Sequence, residues 1–239
     1  MTVLVTGAAR RIGRAVSLAL ASNGANVVVH YSRSAEAATS LVAELEGLGA
    51  RAVSLQADLA VPEQAEGLMA HARERAGRID ALVNNASVFE PETLEAASLD
   101  HLVGDVKVNA WAPFVLTRAL ARQSGRGKVV NLLDARLAGL DLAHAGYYLS
   151  KHILEALTRM TALAFAPGLS VNAVAPGLIL PPSGEDEAYL ARLARKLPLE
   201  RHGGPEDVAR AVVFLLESDF VTGQVIYVDG GQHLREAQP

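Results

Sequence analysis

The sequence contains no cysteine. Disulfides and thiolate metal sites are therefore excluded, and the chain suits a reducing compartment, with the cytoplasm as the expected location. Long apolar runs are missing too. No stretch approaches the roughly 20 residues that a membrane-spanning helix needs, and the longest, such as AVVFLL, read as core faces. There is no basic tract to meet nucleic acid or an anionic membrane, and the net charge is -4. No charged, then apolar, then small-residue segment precedes the opening strand MTVLVTG, so no secretory signal is expected. Seven histidines (His30, His71, His101, His144, His152, His202 and His233) show no HExxH or facial-triad spacing, and no metal is expected.

Two absences are local and say more. The segment VVVHYSRSAEAA has no acid before Glu36, and nothing between KVVNLL and Tyr147 is a serine. What is present is an ordinary globular composition, 50% apolar and 20% charged. Short β-branched runs (VLVTG, ANVVVHY, RAVSLQADL, IDALVNNAS, KVVNLLD, SVNAVAPG and QVIYVDGG) alternate with longer stretches of helical periodicity. The stretch from about Leu99 to Arg122 is expected to be helical, with Pro113 as a local irregularity, and so is that from about Ala143 to Phe165. The alternation predicts an α/β fold, a Rossmann-like doubly wound parallel sheet of about seven strands flanked by helices. Residues 1–239 read as one domain. One segment, 178–203 (LILPPSGEDEAYLARLARKLPLERHG), breaks the rhythm with Pro, Gly and charge, and is expected to cover a ligand crevice.

TGAARRIG follows the first strand and opens a helix, the context in which backbone amides and the positive helix end hold a pyrophosphate. The alternative is a plain strand-to-helix turn. Cations at a helix start oppose its dipole, so Arg10 and Arg11 point to a bound anion. The spacing Gly7-x-x-x-Arg11-x-Gly13 resembles the TGxxxGxG loop of short-chain dehydrogenases/reductases, with Arg11 where the middle glycine would stand. Arg11 must there adopt another conformation or tolerate strain. At the end of the second strand, NAD enzymes place an acid on the ribose hydroxyls. Here His30, Tyr31, Ser32, Arg33 and Ser34 supply donors, which favours the 2'-phosphate of NADP(H).

Tyr147 and Lys151 are four apart and share a helix face. A nearby Lys⁺ is expected to lower the phenol's pKa and make it a better acid. YxxxK alone is also consistent with a surface pair. NNAS at the end of the fourth strand, Asn109 in KVNAWAPF and AVAPG at the end of the sixth are short-chain reductase landmarks in the right order, and the resemblance covers essentially the whole chain. It implies Tyr147, Lys151 and Asn109 as catalytic residues, with Asn109 anchoring a relay water beside the lysine; Asp134 joins this set for its position and charge. It implies a cofactor site made of Gly7, Arg11, Ile12, Gly13, His30, Tyr31, Arg33, Ser34, Asp58, Leu59, Asn85, Ala86, Tyr147, Lys151, Pro176 and Gly177. It also implies a homotetramer packed through the Tyr-Lys helix and the C-terminal strand. Tyr148 begins no x-x-x-Lys and is expected to pack.

Asp134 stands near the place of the usual serine. A carboxylate accepts hydrogen bonds and repels a developing oxyanion, so it suits a nitrogenous substrate better than a ketone. A simple turn acid is the other reading. The loop arginine, HYSRS, NNASVF and FVTGQVIYVDGGQHLR resemble the pteridine reductases and dihydromonapterin/dihydrofolate reductases of the superfamily. That resemblance implies an NADPH-dependent reduction of a pterin C=N bond, with water as a final proton donor for the dihydro-to-tetrahydro step. It implies substrate contacts from Arg11, Ser87, Phe89, Asp134 and Tyr147, with Phe89 stacking the pterin against nicotinamide. Phe89 as a core or lid aromatic is the alternative. The competing functions are a generic NADPH carbonyl or 3-oxoacyl-thioester reductase and a non-enzymatic cofactor-binding relative.

Overall fold

The computed structural model describes residues 1–124, 126–182 and 184–236. Its seven strands are β1 (Thr2–Val5), β2 (Asn26–Tyr31), β3 (Ala52–Gln56), β4 (Ala81–Asn84), β5 (Gly127–Leu132), β6 (Leu169–Pro176) and β7 (Val225–Val228). They form one sheet in the order β3-β2-β1-β4-β5-β6-β7, and every pairing is parallel. All seven expected strands are present, and all but β6 are shorter than the apolar run that announced them, because terminal residues leave the ladder to form loops.

Strand alternation divides the core into two layers. Val3 and Val5 of β1 face α1 (Arg11–Ser22), α2 (Ala35–Gly47) and α8 (Pro205–Glu217), through Val16, Leu20, Leu41, Val212 and Leu215. Leu4, between them, faces α3 (Pro62–Ala76) and α5 (Ala112–Ser124), through Leu68, Met69, Leu116 and Leu120. Each of these leucines is essentially without solvent exposure, and burying one stabilises the fold by about 1.5–3 kcal/mol. The long helix α6 (Ala145–Ala164) adds a smaller cluster, with Leu154 against Ala173 and Ala175 of β6.

Two features place the functional side chains. Strand order reverses between β1 and β4, so their carboxyl ends open the crevice where parallel α/β sheets bind ligands. The helix expected over Leu99–Arg122 is in three parts: α4 (Leu99–Val106), a π-helical turn (Lys107–Trp111) and α5. The irregularity lies just upstream of Pro113, which has no N–H to offer the Asn109 carbonyl four residues back. The Ala112 N–H bonds instead to the Lys107 carbonyl, five residues back. Asn109 sits in this widened turn. The segment 178–203 contains α7 (Glu187–Ala194), begun by Asp186 accepting from the Tyr189 N–H. Ser183 of that segment lies outside the described residues. A short 3-10 turn (Ala135–Ala138) and α9 (Gln232–Glu236) were not anticipated. Among the described residues, no helix is long and apolar enough to cross a membrane.

Candidate active site

The phosphate loop is braced from both sides. Gly7 has a φ of +61°. The Asn85 amide donates to the carbonyls of Thr6 and Gly7 at 2.9 and 3.0 Å, and the N–H groups of Asn85 and Ala86 both donate to Thr6 Oγ1. A Cβ on Gly13 would lie 2.3 Å from the Gly7 carbonyl oxygen, so only glycine lets α1 start this close to the loop. Ile12 packs its side chain on the core and has only its main chain to offer a ligand. Arg10, at the N-cap of α1, makes no side-chain cap, and the helix's first turn holds no acid. Its positive end is thus left without a protein anion, as an incoming pyrophosphate requires.

Arg11 keeps its side chain in the cleft and accepts the strain: its φ is +53°. Its Nη2 donates to the Pro181 carbonyl at 3.0 Å, tying the phosphate loop to the segment beyond β6.

His30 corrects an expectation. It was expected to supply a donor to the cofactor, but it is buried, and its Nδ1 accepts from the Gly7 N–H at 3.1 Å. Nε2 then carries the hydrogen, 3.1 Å from the Ala57 carbonyl. Burial drives its pKa down from 6.5 to about 4. His30 is a neutral clamp beneath the loop. Tyr31 and Ser34 are partly exposed and Arg33 is exposed, with no acid among them, and Ser34 begins α2 without a side-chain cap. Asp58 is exposed beyond β3, its Oδ1 accepting from the Ala60 N–H. Leu59 is buried in the core, so only its main chain can meet a ligand.

The Tyr147 hydroxyl donates to Asp134 Oδ2 at 2.7 Å. The other carboxylate oxygen accepts from the Arg136 N–H at 2.9 Å and caps the short 3-10 turn. Asp134 is therefore a turn acid through one oxygen and the phenol's partner through the other. Burial, and then the Asp134 charge, push the Tyr147 pKa well above that of a free phenol. This corrects the expectation that Lys151 would lower it. Lys151 is itself buried, donates from Nζ to the Leu132 carbonyl at 2.8 Å, and has its pKa lowered by burial to about 8.

Asn109 does not face the lysine with its side chain. Its Oδ1 accepts from Ser87 Oγ and the Val88 N–H, and its Nδ2 donates to the Val88 carbonyl and to Ser150 Oγ. The amide is fully committed to holding the loop after β4 against α6. A relay through Asn109 would have to use its main-chain carbonyl.

Arg11, Phe89, Asp134, Tyr147 and Gly177 line one cavity of about 280 Å³, near the lower end for small-molecule sites. Pro176 ends β6 just behind Gly177, where a Cβ would lie 2.5 Å from that of Asp229. Leu178, Leu180, Pro182, Tyr189 and Leu193 bring residues of the 178–203 segment to the same wall. Ser87, Asn109 and Lys151 do not line it. The Phe89 ring stacks on His144 at 4.1 Å and meets Tyr147 edge-on at 4.7 Å. An isolated bridge between Glu92 and His144 fixes this approach. As expected, Tyr148 packs, its hydroxyl on the Gly139 carbonyl.

Sequence reasoning missed Arg136, another cavity residue, along with its anchor Asp141. The only signal was an arginine two places after Asp134.

A family model described as enoyl-(acyl carrier protein) reductase, of the short-chain alcohol dehydrogenase type, matches residues 7–233. The fold is similar to the solved structure of FolM alternative dihydrofolate reductase 1 from Brucella canis complexed with NADP. That comparison gives a TM-score of 0.92 and 37% identity, and covers 100% of this chain and 96% of the other. The Brucella suis counterpart, also with NADP, gives 0.91 and 36%, covering 100% and 97%. A 3-oxoacyl-[acyl-carrier-protein] reductase from Synechocystis sp. is 34% identical, over 95% of each chain. The chain thus belongs to the short-chain dehydrogenase/reductase family of oxidoreductases.

Proposed function

We propose that the protein is an NADPH-dependent pteridine reductase that reduces a C=N bond of a dihydropterin, a more oxidised pterin or dihydrofolate. The observation that carries this reading is the 2.7 Å hydrogen bond from Tyr147 to Asp134, which puts a carboxylate where a ketone reductase needs a neutral donor. The NADP-bound FolM structures support it.

The residues fit the cofactor. The uncapped start of α1 suits the pyrophosphate, and acid-free Arg33 and Ser34 suit the 2'-phosphate. When bound, NADPH supplies a hydride to the carbon of the C=N bond. Asp134 accepts N–H groups of the substrate and orients it. Tyr147 gives its hydroxyl proton towards the ring nitrogen, so that hydride and proton add across one double bond. Arg11 and Phe89 hold the ring system from the cavity walls. Exposed Leu149, Ile153, Met160 and Leu163 on α6 support a homotetramer packed through that helix, acting in the cytoplasm.

A substrate panel tests the reading. NADPH oxidation is expected with dihydrobiopterin, dihydromonapterin or dihydrofolate, and a diaminopteridine antifolate should compete. Turnover of ketones or acyl thioesters alone would establish the second reading, a carbonyl or 3-oxoacyl-thioester reductase, which the similarity to the Synechocystis enzyme favours.

A further inference from the structure

We propose that Arg136 reads the tail of the substrate. Its guanidinium takes a carboxylate carried beyond the ring, so the site favours a pterin with an aromatic, anionic tail, such as the p-aminobenzoylglutamate of dihydrofolate, over one with a neutral hydroxyalkyl tail. This rests on the cavity beside Tyr147 being the pterin site of the proposed function, and it narrows the substrate class for that site.

The cavity, of about 280 Å³, lies below the range that encloses a drug-sized ligand. It suits a bicyclic ring, and anything attached to that ring must leave past a wall. On one side, Arg11 Nη2 holds the Pro181 carbonyl at 3.0 Å and closes the phosphate loop against the 178–203 segment. On another stand Phe89, 39% exposed, and Arg136, whose side chain is 40% exposed, so both meet the cavity and the solvent. The guanidinium carbon lies 4.9 Å over the Phe89 ring. A substituent on a ring held by Phe89 therefore leaves beside this cation.

Arg136 is prepared for an acceptor. Its Nη1 donates to Asp141 Oδ2 at 2.7 Å. Asp141 is in turn fixed by the N–H groups of Ala143 and His144 and by the His144 ring. This brace orients the guanidinium before a ligand arrives and spreads the Asp141 charge over several donors. The other N–H groups of the guanidinium meet no acceptor among the described residues. Asp134 does not claim them, since its oxygens accept from the Tyr147 hydroxyl and the Arg136 main chain. A carboxylate matches the planar fork in shape and charge, and a hydroxyl matches it in neither. Apolar surface adjoins the cation. Leu140 and Leu142, on either side of Asp141, are exposed, and so is Leu94, whose N–H bonds to the Leu142 carbonyl. Such a surface suits an aromatic ring better than a hydroxylated chain.

The test is the ratio of kcat/KM for dihydrofolate to that for dihydrobiopterin, with NADPH. Arg136→Leu is expected to lower this ratio about tenfold or more, the scale of one charge-assisted hydrogen bond, through a raised KM for dihydrofolate. Arg136→Lys, a point charge without the fork, should recover part of the loss. A second measurement needs no turnover. p-Aminobenzoylglutamate, added to the NADP⁺-loaded protein, should show saturation-transfer NMR signals from its aromatic protons, and Arg136→Leu should lose them.

Where a pterin is reduced, the ratio decides. A ratio unmoved in Arg136→Leu would overturn the proposal, as would a loss carried by kcat alone or a lysine variant no better than leucine. If neither pterin is reduced, the pterin reading fails, and the fragment decides. Signals that depend on Arg136 would keep an aromatic-carboxylate subsite on this wall. Signals indifferent to Arg136, or none in the unmodified protein, would remove it.

Discussion

Tyr147 and Asp134, thirteen positions apart in the chain, hold one hydrogen between phenol and carboxylate at 2.7 Å. The pair carries one proton and one negative charge, so it can donate to a basic nitrogen while accepting from an adjacent N–H. A developing alkoxide would meet the carboxylate's repulsion instead.

Asp134→Ser separates these cases. A serine hydroxyl restores a neutral donor, and pterin turnover should fall at least about tenfold while ketone turnover rises relative to it. The ratio of kcat/KM for the two substrate classes is the measurement. An unchanged ratio would mean that Asp134 serves only as a cap for Ala135–Ala138.

Tyr147→Phe removes the proton and keeps the ring against Phe89. Its kcat should drop by about 10²–10⁴-fold, the usual contribution of a general acid, with NADPH affinity unchanged by fluorescence titration. Full activity on every substrate would remove Tyr147 from the role of proton donor.

Arg33 is exposed at the end of β2 and free of acidic neighbours before Glu36. Arg33→Ala should weaken NADPH binding by roughly 10- to 100-fold, the scale of one charge-assisted hydrogen bond. NADH, which lacks the 2'-phosphate, should be affected little. Equal losses for both dinucleotides would relocate the phosphate site.

His30 makes stability depend on pH. Its folded pKa of about 4 lies below the ordinary 6.5, so the unfolded chain takes up the proton first as pH falls. The neutral clamp's contribution is complete above about pH 6.5 and declines towards pH 4, by roughly 3 kcal/mol in all. Denaturant unfolding across that window should show the slope, and His30→Asn should flatten it. An identical slope in the variant would place the pH dependence elsewhere.

The sheet was legible because β-branched apolar runs recur at a spacing that only a parallel α/β arrangement accommodates. The Tyr147–Asp134 pair was legible too, since helical spacing and one misplaced charge identified both residues. His30 was not. A strand buried on both faces has no polar side, so alternation could not tell whether the imidazole pointed at the cofactor or at the Gly7 amide. Arg136, Asp141 and His144 lie in a loop without periodicity, and their arrangement depends on the bridge to Glu92, fifty-two positions before His144. Lys151 was placed on the right face of its helix. What it meets there, the Leu132 carbonyl, belongs to β5 and not to any local pattern.

Arg11 carries a left-handed backbone that glycine would adopt freely. Folding and activity therefore rank residues at this position in opposite orders. Arg11→Gly would relieve the backbone yet free the segment at Pro181 and remove a guanidinium from the cavity. Selection for thermal stability alone would erode the site at this residue, whereas selection for turnover would preserve a chain slightly less stable than it could be.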